Sequence, residues 1–115
     1  MFAHGAVLRK NFFSAAELAA IVKDFRNAGL TPEEVAIMSF AQKVSTQAQQ
    51  VNQQDVEVLH GHGLSDEEIL DVVLATTARN FFSKTLDSLG AEPDRVYLEL
   101  EPELLQVLAG GRPFP

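Results

Sequence analysis

The stretch Gly63 to Gly90, GLSDEEILDVVLATTARNFFSKTLDSLG, decides the fold. Ser65 precedes an apolar run and Glu68 follows three residues later, so hydroxyl and carboxylate are placed to satisfy each other's backbone N–H groups as a capping box. Asp66, Glu67 and Glu68 put negative charge at the positive end of the helix dipole. Gly90 is the expected stop, because glycine enters the left-handed region without a Cβ penalty. Between these ends Ile69, Val73, Leu74, Phe81, Phe82 and Leu86 spread over most of the helix surface. A helix apolar nearly all round is expected at the centre of a bundle. It would be roughly 35 Å long at about 1.5 Å per residue, but Asp71, Arg79 and Lys84 interrupt it and argue against a membrane segment.

The same punctuation recurs upstream. Ser14 and Glu17 form a capping-box pattern, and Leu18, Ile21, Val22 and Phe25 follow at amphipathic helical spacing, with Gly29 as the expected end. Thr31, Pro32 and Glu34 open the next helix, which carries Val35, Ile37, Met38, Phe40, Ala41 and Val44. Residues Ser45 to Gln54 are polar and read as a connection. Asn52 caps a short helix through about His62, with Asp55 at its third position. FRNAGLTPEEV (Phe25 to Val35) returns as LHGHGLSDEEI (Leu59 to Ile69) about 34 residues on, the period of a tetratricopeptide unit. It recurs once, and the helices between differ in pattern, so it reads as one helix corner used twice. Residues Phe2 to Lys10 read as a helix with no cap. Beyond Gly90, Val96, Leu98 and Leu100 alternate like a short strand, and Pro102 to Ala109 reads as one or two helical turns.

Composition sets outer bounds. With 115 residues and 46% hydrophobic content, the chain is expected to be a single helical domain over residues 1–115. Residues 91–115 form a tail expected to pack on the bundle or on a neighbouring subunit. A net charge of −7 and a pI near 4.8 argue against nucleic acid and anionic membrane surfaces as partners. The chain has no cysteine, hence no disulfide or thiolate chemistry of its own. The start, MFAHGAVLRKNFF, lacks the pattern of a signal peptide, and a cytoplasmic location is expected.

Candidate chemistry is sparse. His60 and His62 fall in a last helical turn, where the dipole favours a protonated imidazole, and no further residues at metal-ligand spacing accompany them. Glu33–Glu34 and Glu67–Glu68 stand at helix starts, where capping accounts for them, and general acid–base pairs need an environment that separates their pKa values. No glycine-rich phosphate loop precedes a helix, and no cofactor is implied. His4 stands in the first turns of the uncapped helix. Asn80, inside an apolar helix, requires a partner: a hydrogen bond between helices is the simpler reading, and a pocket lining the other.

Taken in order, AHGAVLRK (Ala3 to Lys10), DFRNAGLTPEEVAIMSFAQKV (Asp24 to Val44), DVEVLHGHGLSDEEIL (Asp55 to Leu70) and ARNFFSKTLDSLG (Ala78 to Gly90) resemble the peroxidase-related branch of the carboxymuconolactone decarboxylase and alkylhydroperoxidase D (AhpD) superfamily. The resemblance implies an AhpD-like all-α bundle of about five helices with a long buried central helix. In redox members a Cys-x-x-Cys pair at a helix start, followed three residues later by a histidine, reduces hydroperoxides, with a glutamate and the histidine relaying protons. A helix N-terminus lowers a thiol pKa and so favours the nucleophilic thiolate. Of that motif only His4 is matched here; both cysteines and the glutamate would fall before Met1. The branch's Asn-Phe motif with a following basic residue is matched by Asn80, Phe81 and Lys84, the last where arginine is more usual.

Three functions follow from the resemblance. The first is a non-catalytic helical bundle that works as a homo-oligomer. The second is part of a split or wrongly started hydroperoxide-reducing enzyme, with cysteines upstream or on a partner chain carrying the Cys-x-x-Cys half. The third is a cysteine-free, decarboxylase-like enzyme using His4 as an acid or base.

Overall fold

The computed structural model describes residues 2–110, which form six α-helices and no strand. The all-α bundle class is therefore observed, with one helix more than the five expected. The chain divides into two compact units. One joins the stretch up to Gly29 to the stretch from Gly90 onward, and the other is the continuous run Leu30–Leu89.

The continuous unit holds α3 (Pro32–Gln47), α4 (Gln53–Gly61) and α5 (Asp66–Ser88). Each starts as its sequence dictates. Thr31 with Glu34, Asn52 with Asp55 and Ser65 with Glu68 all form reciprocal capping boxes, satisfying donors that a helix start leaves unpaired. At the α4–α5 corner Gly63 takes φ 92°, Gly63 N–H donates to the His60 carbonyl at 2.9 Å and Leu64 N–H to the Leu59 carbonyl at 3.1 Å. This pair of bonds is a Schellman closure, and it drops Leu64 into the core beside Leu59. Phe40, Val44 and Ile69 complete that core.

The discontinuous unit holds α1 (Phe2–Asn11), α2 (Ala15–Lys23) and α6 (Pro102–Ala109). The Ser14–Glu17 capping box opens α2. Pro102 starts α6, and Gly110 ends it at φ 59°. Leu104, Leu105, Leu108 and Ala109 make one buried face, and Leu104 and Leu108 pack with Leu18 and Ala19 of α2. Residues 102–109 thus pack on α1 and α2.

Four expectations are corrected. First, α2 ends at Lys23, not at Gly29. Asp24 leaves the helix with φ −159°, and its carboxylate accepts from Arg26 N–H at 3.2 Å and Asn27 Nδ2 at 2.6 Å. This local bonding competes with the helical ladder and leaves a 3-10 turn over Phe25–Asn27. Secondly, α3 runs on to Gln47 instead of stopping near Val44; the polar residues of this last turn are accommodated, with Thr46 Oγ1 donating to the Gln42 carbonyl and Ser45 Oγ to Asn80 Oδ1. Thirdly, Val96, Leu98 and Leu100 belong to a 3-10 turn, Arg95–Glu99, and its end, not to a strand. A lone strand has no neighbour for its backbone, whereas Tyr97 N–H reaches the Asp94 carbonyl at 3.1 Å. Fourthly, α5 is long, as expected, but it is not buried all round. Ile69 is its one buried residue among those described, and Leu70, Leu74, Phe81, Phe82, Leu86 and Leu89 are exposed.

Candidate functional site

Helix α5 has two sides of opposite character. The row Ile69, Val73, Thr76, Asn80 and Ser83 follows helical spacing and is buried or half-buried. It becomes polar towards the C-terminal end. Thr76 Oγ1 satisfies itself on the Val72 carbonyl at 2.7 Å, and Asn80 Oδ1 accepts from Ser45 Oγ of α3 at 3.0 Å. The opposite row, with Leu74, Ala75, Ala78, Phe81 and Phe82, is exposed. Phe81 is 68% and Phe82 58% accessible, and their rings meet edge to face with centroids 5.7 Å apart. The second half of the helix therefore carries polar residues inward and aromatic ones outward, the reverse of a helix on a water-facing surface.

The residues singled out from the sequence separate accordingly. Asn80 faces α3 and is held by Ser45, Phe81 points outward, and Lys84 is exposed on α5. His4 is exposed on α1, in the other compact unit. The sequence offers Leu74 and Phe82 only as apolar surface of a buried helix, although the polar drift of the row from Ile69 to Ser83 signals which side faces out.

Two shallow clefts lie elsewhere. One, of about 300 Å³, is lined by Ser39, Phe40, Lys43, Asp55 and Leu59 among others. Its charged groups are spent on each other. Lys43 Nζ meets Asp55 Oδ2 at 2.7 Å, and that carboxylate also accepts from the Asn52 N–H. The lysine first, and then the backbone bond, holds Asp55 below its ordinary pKa. The second cleft, of about 550 Å³, lies along Ala6, Arg9, Tyr97, Leu100 and Glu101, where Arg9 Nη2 meets Glu101 Oε1 at 2.7 Å. This guanidinium keeps the Glu101 carboxyl low.

His60 gains partners that its sequence neighbours do not reveal. Its Nε2 lies 2.6 Å from Asp66 Oδ1 across the Gly63 corner, and its Nδ1 lies 3.6 Å from Glu57 Oε2. The bond to Asp66 raises its pKa, opposed by partial burial and aided by Glu57. His62 is exposed at the α4 C-terminus. Among the described residues no group of three or more metal-ligating side chains converges, and no helix is long and apolar enough to cross a membrane. Comparison with family models, curated proteins and solved structures finds no match to this chain.

Proposed function

We propose that the chain is a non-catalytic helical module that works by association, as a cytoplasmic homo-oligomer, on the scaffold of the AhpD-like superfamily it resembles. The observation that carries this reading is the inverted second half of α5. An exposed stripe with Leu74 and two phenylalanines costs solubility unless something covers it. The resemblance places one residue of the redox motif, His4, in this sequence, and the sequence given has no cysteine.

The test is a hydroperoxide-consumption assay on the 115-residue chain with a dithiol donor, combined with light scattering at micromolar concentration. Consumption at the level of a heat-treated control, from a multimeric species, is expected. Turnover abolished by His4→Ala, or a monomer, would overturn the reading.

A further inference from the structure

Three features of α5 converge on one occupant for its outer face. Charge is the first. Asp66, Glu67, Glu68 and Asp71 lie in the first part of the helix, and beyond its middle Arg79 and Lys84 outnumber Asp87. Two such helices laid parallel put like charge over like, whereas antiparallel pairing sets acid against base. The register then follows. Asp71 and Arg79 stand equally far from residue 75, and at about 3.6 residues per turn both lie on its side of the helix. A single two-fold axis at residue 75 thus brings this pair level twice.

Size is the second feature. Residue 75 is alanine, and Ala78 is one turn on; both are exposed on the outer row. Small residues at the crossing point let two helix backbones approach closely, with Leu74 and Phe81 flanking them. In the same register Leu70 of one copy comes within one residue, about 1.5 Å, of level with Phe81 of the other. Area is the third. Six large apolar side chains, about half to three-quarters exposed, leave on the order of 600 Å² of apolar surface on this face. This sits at the top of the range for a monomer's largest patch and supplies most of the roughly 800 Å² per partner of a standard interface.

We infer that α5 pairs with α5 of a second copy of this chain, antiparallel, about a two-fold axis at Ala75. The inference rests on the association reading above and assigns its surface, partner and register. The interface is isologous: each copy offers the same acidic half, alanine crossing point and basic half.

The chain has no cysteine, so single introduced thiols report the register cleanly. Ala75→Cys should cross-link two copies under mild oxidation. Leu89→Cys should not, since its two copies would stand roughly 40 Å apart along the antiparallel helices. Arg79→Glu and Asp71→Arg should each weaken the dimer roughly tenfold by sedimentation, and the double exchange should restore it. Phe81→Ser, checked for unchanged helicity by circular dichroism, should also dissociate it. Equal cross-linking at both positions, no restoration by the double exchange, or a multimer indifferent to all of these variants would overturn the interface. The last outcome would leave the association reading standing, whereas peroxide turnover by a chain that cross-links as expected would remove that reading alone.

Discussion

Gly5 of α1 lies so close to Leu108 of α6 that a β-carbon built on it would stand 2.6 Å from Leu108 Cδ1 and 2.9 Å from Cδ2. Leu108 is itself buried with Leu18 and Leu104, so it can give way only by repacking that cluster. Two effects oppose each other in Gly5→Ala. Alanine gains about 0.5–1 kcal/mol of helix preference, and overpacking a filled core costs about 1–3 kcal/mol. The second is expected to win, with a net loss of about 1 kcal/mol in urea unfolding. Pairing Gly5→Ala with Leu108→Ala should cost less than the sum of the two single changes, because the second removes the clash. Strict additivity would mean that the helices do not meet here.

The Ser45–Asn80 bond makes a different forecast. Ser45→Ala removes the donor and leaves the half-buried Asn80 carbonyl without it, at a cost of about 1 kcal/mol. Adding Asn80→Leu should recover most of that loss, since replacing both partners with apolar groups is nearly neutral. A chemical-denaturation cycle reads the pair directly. If the single change at Ser45 is silent, Asn80 is not held in this way.

His60 gives the α4–α5 corner a pH dependence. Its pKa in the folded chain is raised above the ordinary 6.5, first by its bond to Asp66. A raised pKa means that the folded state holds the proton more tightly than the unfolded chain does. The stabilisation is therefore complete below about pH 6.5 and is lost as pH rises through the raised value. Melting temperature should fall across the neutral and mildly alkaline range, and His60→Gln should flatten that fall. An unchanged slope in the variant would separate His60 from the effect.

The start of α5 responds in the opposite direction. The backbone N–H of Ser65, and then its hydroxyl, hold the Glu68 pKa below 4.5. The stabilisation is present above the ordinary carboxylate value and lost as pH falls through the lowered one. Glu68→Gln keeps an acceptor without the titration, so its acid unfolding should be less steep near that pH. Ser65→Ala, which removes the cap itself, should cost about 1 kcal/mol at neutral pH.

Local chemistry made the helix starts legible. Ser14, Thr31, Asn52 and Ser65 each cap their helix as their spacing to Glu17, Glu34, Asp55 and Glu68 implies. Helix ends were less legible where a side chain competes with the ladder, as at Asp24, or where polar residues bond back into a helix, as at Thr46. The environment of α5 is not legible from a count of its apolar residues, which says nothing about which side they occupy. Following every third and fourth residue from Ile69 shows the inner row turning polar at Thr76 and Asn80. The His60–Asp66 contact was hidden because a corner, not a helix, brings the two together.

The discontinuous unit carries a consequence for synthesis. Leu18 and Ala19 leave the ribosome more than 80 residues before Leu104 and Leu108, against which they pack. At about 5–20 residues per second this delay lasts on the order of 4–16 s. Meanwhile the continuous run Leu30–Leu89 has all of its own core in hand. The nascent chain thus carries a finished three-helix unit and an unfinished helix pair with its apolar side bare. The turns of α6 act as the closing stitch, and until they arrive α1 and α2 stand open on the side that Leu104 and Leu108 will cover.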